Sequence, residues 1–175
     1  MLEKYLSLLI CPVSRSELRL EKISVTRKLF GKDEKEIISE GILFAEKDWF
    51  YPIIDGVPRM LIESFFDYEA FLNKHLSDYK SRKENLLNLY PQLVRQAIKK
   101  NSRTKKSFEL EWGLFNYDED KTWELKGKEL LDRFLKETDE TERSLKDKLI
   151  FDAGCGNGQL NQTLPVAAQQ LSGWI

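Results

Sequence analysis

The stretch Leu149-Ile-Phe-Asp-Ala-Gly-Cys-Gly-Asn-Gly158 carries the strongest structural signal in the chain. Its three leading apolar residues predict a short buried strand, and residues 159–164, which follow the glycines, look like the start of a helix. Glycine permits positive φ angles and lets the backbone approach a ligand closely. The first turn of a helix offers free N–H groups to a carboxylate or phosphate. The stretch therefore predicts a strand–loop–helix unit that holds a ligand.

The glycine spacing excludes two common nucleotide-binding loops. The dinucleotide pattern Gly-x-Gly-x-x-Gly requires a third glycine at Gln159 when counted from Gly154, and at Asn161 when counted from Gly156. A phosphate loop requires Gly-Lys-Ser/Thr, which does not follow. Asp152 ends the strand at the edge where open α/β sheets bind ligands, so its carboxylate suits a ligand with a positive charge or good donors. The alternative is a turn that binds nothing.

These residues resemble the first motif of class I methyltransferases that use S-adenosyl-L-methionine. The resemblance implies the start of a Rossmann-like α/β methyltransferase domain at residues 146–175, whose acid and glycine loop hold the methionine end of the cofactor. It places six residues at the cofactor: Asp152, Gly154, Cys155, Gly156, Asn157 and Gly158. It assigns no catalytic residue.

The rest of the family's sheet is not expected within this chain. We expect residues 149–151 to be its only strand here, without a parallel neighbour, and an acid for the cofactor ribose about 20 residues after the loop, where the sequence reaches Ile175. The resemblance therefore predicts an incomplete N-terminal part of a methyltransferase, inactive as it stands.

Residues 1–62 predict a small antiparallel β domain with one or two helices. Residues 18–30, 42–44 and 49–54 have the β-branched and aromatic content of strands. The charged residues 32–36 are typical of a solvated loop. Asp55-Gly56 predicts a tight turn.

Two segments of this domain, Leu8-Leu-Ile-Cys-Pro-Val-Ser14 and Tyr51-Pro-Ile-Ile-Asp-Gly-Val-Pro-Arg-Met-Leu61, resemble a small zinc-ribbon family. Members of that family activate methyltransferases, which implies a protein partner for this domain. The family carries two cysteine pairs, but here the first pair is Cys11 and Ser14, and residues 44–50 hold no cysteine or histidine. Structural zinc needs about four such ligands. We therefore expect no metal site, and Cys11 as a small buried hydrophobic residue.

Residues 63–145 predict a charged, mostly helical linker or cap. Apolar residues recur at helical spacing, Pro91 is expected to begin a helix, and residues 99–106 look like a basic loop. His75 is expected on the surface. A cluster of aromatic residues either packs as a core or faces a substrate: Phe108, Trp112, Phe115, Tyr117 and Trp123.

Bulk composition predicts a globular protein in the cytoplasm, and the strand and helix patterns along the chain predict the α+β class. Lys and Arg number 28 and Asp and Glu 29, so the net charge of −1 gives no general attraction to nucleic acid or membranes, although a local basic patch is compatible with it. No apolar run reaches the roughly 18 residues that a membrane helix needs. Cys11 and Cys155 are too far apart in sequence for a disulfide framework.

Two functions remain open from the sequence. The first is methyl transfer from S-adenosyl-L-methionine to a small-molecule or other unidentified acceptor. The second is a non-catalytic interaction or activator module that docks onto a partner methyltransferase. A continuation of the gene into further βαβ units with an acid at a strand end would favour the enzyme.

Overall fold

The computed structural model describes residues 1–30, 33–114, 127–146, 148–153, 160, 164 and 169–173. Helices and strands are both well represented, which confirms the predicted α+β class. The chain separates into two compact units, Met1–Phe108 and Glu109–Ile175. The division into residues 1–62, 63–145 and 146–175 rests on sequence patterns and stays a prediction.

The first unit contains a four-stranded antiparallel sheet in the order β1-β2-β3-β4. A short 3-10 helix, Glu3–Leu8, precedes the sheet. The prediction of antiparallel strands in this region is confirmed. The strands are β1 (Arg19–Phe30), β2 (Asp33–Phe44), β3 (Phe50–Ile54) and β4 (Val57–Pro58).

The hairpin of β1 and β2 is longer than predicted. Phe30 pairs with Asp33, so residues 33–36 belong to β2, and the prediction of a loop there is wrong. Opposite charges meet across the hairpin, where the Arg27 guanidinium lies 3.6 Å from the Glu34 carboxylate. Such cross-strand pairs favour pairing even where no apolar residue is buried.

The predicted tight turn between β3 and β4 is confirmed. Asp55 and Gly56 have φ angles of 52° and 79°. Positive φ at both central residues defines the type I′ turn, which matches the twist of a hairpin. A Cβ atom at Gly56 would lie 2.9 Å from the backbone nitrogen of Met1. Space and backbone conformation therefore both require glycine here.

Five α-helices lie within the described part of the chain. The helix predicted to begin at Pro91 does begin there. Proline suits the first helical turn, because the N–H group that it lacks would have no partner in the helix at that position. The prediction of a loop at residues 99–106 is wrong, because those residues lie inside that helix. The helices are α1 (Ser64–Asp67), α2 (Glu69–His75), α3 (Tyr79–Leu89), α4 (Pro91–Leu114) and α5 (Lys128–Thr138).

Strand β3 forms the centre of the first unit's core. Trp49, Phe50 and Tyr51 are consecutive and fully buried. The centroid of the Phe50 ring lies 6.1 Å from the ring centroid of Phe65 and 6.2 Å from that of Tyr79. Because successive side chains of a strand point to opposite faces, burial of the whole run means that both faces of β3 are covered.

The second unit contains a pair of parallel strands, β5 (Leu149–Ala153) and β6 (Gln169–Gly173). The expectation that residues 149–151 lack a parallel neighbour is therefore wrong. Parallel neighbours need a crossover of about a dozen residues or more, and residues 154–168 are long enough to provide it. The segment Gln-Gln-Leu-Ser-Gly has few strand-forming residues, which explains why its sequence did not predict a strand.

Among the described residues, one face of β5 is covered and the other, which carries Leu149 and Phe151, is bare. Ile150 packs against a small core formed by α5 and the segments around it, whose buried members are Leu131, Leu145 and Leu164. Leu149 and Phe151 alternate with Ile150 and are 47% and 66% exposed. Parallel sheets are normally covered on both faces. The bare face is thus unusual for a strand of this type.

Candidate functional site

The predicted cofactor-binding acid lies near the carboxyl end of β5. Asp152 pairs with Ser172 of β6, one residue before the end of each strand. Ligands of open parallel sheets bind beyond this edge. The glycine loop lies outside the described residues, so its predicted contacts stay predictions: Gly154, Cys155, Gly156, Asn157 and Gly158.

A helical hydrogen bond lies within the segment predicted to start a helix. The N–H of Leu164 donates to the carbonyl of Leu160 at 3.2 Å, the spacing of an α-helical turn. Leu160 packs against the same small core that Ile150 contacts. The order is therefore a strand, a crossover with a helical turn, and a parallel strand, as at the start of a nucleotide-binding α/β sheet.

The predicted ribose-binding acid is not in the second strand. β6 has the sequence Gln-Gln-Leu-Ser-Gly, without Asp or Glu. Its end at Gly173 corresponds to the position where the acid was expected, and Trp174 and Ile175 follow it in sequence. The carboxylate of Asp152 is thus the one acidic group of this strand pair.

Hydrogen bonds join residues 11–16 to residues 46–51, the segments around Cys11 and Tyr51. The N–H of Ser14 donates to Cys11 Sγ at 3.3 Å, and this sulfur shares a hydrogen bond with Tyr51 Oη at 3.3 Å. Ser14 Oγ lies 2.8 Å from Ser16 Oγ, which accepts the N–H of Glu46 at 3.2 Å. Side-chain hydroxyls and a thiol thus connect these two segments.

Cys11 is buried, as predicted, but its sulfur is also a hydrogen-bonding group. Burial raises the pKa of the thiol, but hydrogen bonds from Ser14 and Tyr51 outweigh this and hold it below its ordinary value. Burial, together with the neighbouring sulfur, raises the pKa of Tyr51. The sequence did not reveal this pair, because the two residues are 40 positions apart.

Zinc is expected to be absent from the purified protein. Within the described ranges no three His, Cys, Asp or Glu side chains are grouped so that they could hold a metal ion. Cys11 is the single thiol of the two segments, and one thiolate does not make a structural zinc site. Elemental analysis by plasma mass spectrometry measures this directly. A value of about one zinc per chain would contradict the prediction, and would direct attention to Glu46 and Asp48 as carboxylate ligands.

A buried carboxylate joins α1 to α4. Glu63 is 2% exposed. Asn101 Nδ2 donates to its two carboxylate oxygens at 2.9 and 3.1 Å, and Lys105 Nζ donates to Oε1 at 2.7 Å while also pairing with Asp67. Burial raises the pKa of Glu63, but the hydrogen bonds from Lys105 and Asn101 outweigh it and lower the pKa. The pair formed by Glu63 and Lys105 is the most buried ion pair among the described residues.

The remaining candidate residues form no catalytic group. His75 ends α2, is partly buried, and lies with its ring 4.7 Å from that of Phe71, so it is less exposed than predicted. Phe108 is exposed on α4. The role of the aromatic cluster stays open, because its other members lie outside the side chains that the structure describes: Trp112, Phe115, Tyr117 and Trp123.

Comparison with known proteins does not identify a family. No protein-family model matches the chain, and no curated protein matches it significantly. The two family resemblances therefore rest on the motif residues quoted above. Among the described helices, none combines the length and apolar character required to cross a membrane.

Proposed function

We propose that this chain is part of an enzyme that transfers the methyl group of S-adenosyl-L-methionine, and that the loop after β5 holds the cofactor. The observation that supports this most is the parallel pairing of β5 with β6 on either side of that loop. In a parallel pair the loop leaves the sheet at its carboxyl edge, where nucleotide-type ligands bind. The proposal includes a cytoplasmic location.

The residues of the segment suit the chemistry of this cofactor. The carboxylate of Asp152 is expected to accept hydrogen bonds from the cofactor's charged amino group. Gly154, Gly156 and Gly158 would let the backbone approach the ligand, while Cys155 and Asn157 contribute backbone groups. When bound, the cofactor supplies an electrophilic methyl group. The acceptor and the catalytic residues are left unassigned.

The bare face of β5 suggests that catalysis needs further structure. With Leu149 and Phe151 exposed, β5 has one packed face among the described residues, whereas a parallel strand is normally covered on both. We therefore expect the 175-residue chain alone to show no measurable methyl transfer. The release of S-adenosylhomocysteine, measured with extracts of small molecules and of proteins as acceptors, checks this. Sustained release above the rate without protein would contradict it.

Calorimetric titration tests whether the site is selective for the proposed cofactor. We expect S-adenosylhomocysteine to bind, and NAD to bind far more weakly because the loop lacks the dinucleotide glycine spacing. Binding of NAD without binding of S-adenosylhomocysteine would refute the assignment. Because the expected ribose-binding acid is not in β6, the titration is best done on a form of the protein that includes any further strands of this sheet.

The open edge of the first sheet supports a second candidate, the interaction module. β1 pairs with β2 alone among the strands that the structure describes, and its long outer edge carries the exposed residues Val25 and Leu29. Such an edge can accept a strand from a partner protein. This role predicts that the chain stimulates a partner methyltransferase and binds no S-adenosylhomocysteine itself. The same titration therefore separates the two candidates.

A further inference from the structure

Helix α4 carries a line of exposed cations, which we define as the α4 stripe: Arg95, Lys99, Arg103 and Lys106. At 3.6 residues per turn these four side chains leave the helix within an arc of about 80°. All four are exposed. None takes part in an ion pair with another described residue. The stripe is therefore a row of charges without counter-charges at contact distance among the residues that the structure describes.

The opposite face of α4 is fixed to the rest of the first unit. Val94 is buried in the core, while Asn101 and Lys105 bind the buried carboxylate of Glu63. Lys105 is the one cation of residues 95–106 with carboxylate partners among the described residues. Because these contacts set the rotation of the helix, the stripe is held toward solvent rather than turned inward.

The charge of the whole chain conceals this basic surface. Residues 1–108 contain 20 Lys and Arg against 15 Asp and Glu, a net charge of +5, while residues 109–175 contain 8 against 14, a net charge of −6. Within residues 91–108 there are six Lys and Arg and no acid. Such an asymmetry between parts of a chain is typical of proteins that bind polyanions.

We propose that the α4 stripe binds the phosphate backbone of a nucleic-acid duplex. From Arg95 to Lys106 the helix rises about 16 Å, a length over which a duplex presents on the order of ten phosphates. Guanidinium and ammonium groups bind such phosphates and release their counterions. The stripe thus has the charge and the length of a backbone contact.

The side chains around the stripe favour a duplex over other polyanions. Within residues 92–106 its exposed neighbours Gln92, Gln96 and Ser102 are polar, and Ile98 is the one exposed apolar residue. A single isoleucine is less than the apolar face with which a helix inserts into a membrane surface. No aromatic residue lies between its members to stack on the bases of a single strand. This inference stands apart from the proposed methyl transfer, since it uses none of the residues near β5.

The test is fluorescence anisotropy with a labelled RNA duplex of roughly two helical turns. The variant R95Q/K99Q/R103Q/K106Q removes the stripe with a residue that keeps good helix propensity. We expect the affinity of this variant for the duplex at low salt to fall at least about tenfold. The plot of log binding constant against log salt concentration should become less steep, by about 0.9 for each phosphate contact that is lost. The control R15Q/K28Q/K74Q/K80Q removes four exposed cations elsewhere in the first unit that take part in no ion pair with another described residue, and it is expected to bind nearly as well as the unmodified protein.

Several results would overturn the proposal. One is equal loss of affinity in the stripe variant and the control, which would mean a general charge effect. Another is binding to vesicles of phosphatidylserine and phosphatidylcholine, but not to the duplex, which would indicate a membrane surface. A third is equally strong, stripe-dependent binding of polyglutamate, which would indicate an acidic protein. Circular dichroism checks folding, and the double variant R95Q/K106Q, expected to show an intermediate loss, replaces the quadruple variant if that unfolds.

Discussion

Replacing Asp152 with alanine is expected to lower the affinity for S-adenosyl-L-methionine by roughly ten- to hundredfold, because a charge-assisted hydrogen bond is worth about 1.5–3 kcal/mol. Asp152 lies one residue before the end of β5, near the carboxyl edge of the β5–β6 pair, where its carboxylate would accept a hydrogen bond from the amino group of the cofactor. Calorimetry with S-adenosylhomocysteine, which retains that amino group, measures the change. The protein used for this measurement should include any further strands of the β5–β6 sheet.

A matched control distinguishes a lost contact from a change in overall charge. Asp132 is exposed on α5 in the same unit, and Asp132→Ala should leave the affinity unchanged. Gly156→Ala should also weaken binding, because a side chain there would occupy space that the ligand needs. Unchanged affinity in a well-folded Asp152→Ala protein would remove Asp152 from the site. Unchanged affinity in a folded Gly156→Ala protein as well would remove the loop.

The first sheet was predictable because its signals are local. Residues 49–54 combine aromatic and β-branched side chains, and the dipeptide Asp55-Gly56 fits one turn type. The length of the β1–β2 hairpin was not predictable in the same way. Its outer end is held by charged pairs such as Arg27 with Glu34, and such pairs leave no hydrophobic pattern in the sequence.

Helix α4 shows why a continuous helix can look like a loop. Between residues 99 and 106 its inward contacts are polar, with Asn101 and Lys105 bound to Glu63. Helical periodicity in a sequence is read from apolar residues, and here the periodic positions are an amide and an ammonium. The partner carboxylate lies 38 residues away from Asn101, so no local pattern identifies it.

The sequence suggested the residues of the candidate cofactor site, but it did not predict the second strand beside them. The glycine spacing after Asp152 is local and selects one class of loop. The second strand of the pair has the sequence Gln-Gln-Leu-Ser-Gly, and its pairing with β5 is a long-range contact. Likewise, the net charge of −1 hid the α4 stripe, because the charges of the two units nearly cancel.

Replacing Lys105 with methionine is expected to destabilise the protein by roughly 1–3 kcal/mol, because it removes the counter-charge of the buried Glu63 carboxylate. The loss is smaller than for a fully buried ion pair, since Lys105 itself is 41% exposed and Asn101 still donates to both carboxylate oxygens. Denaturant unfolding of the full chain measures the loss. The double variant E63Q/K105M should recover most of it, because the buried group is then neutral.

The dependence on pH distinguishes this ion pair from simple loss of packing. In the unmodified protein the pKa of Glu63 is lowered, so its stabilising contribution is present above the ordinary pKa of a glutamate and is lost as pH falls through the folded value. Without Lys105, burial raises that pKa, and the variant instead gains stability as the carboxyl group is protonated. The difference between the two proteins should therefore shrink on acidification. Lys106→Met, on the exposed face of the same helix, should change stability by less than about 0.5 kcal/mol at any pH. A loss in K105M that stays constant from neutral to acidic pH would show that packing, and not the charge of Glu63, holds α4 in place.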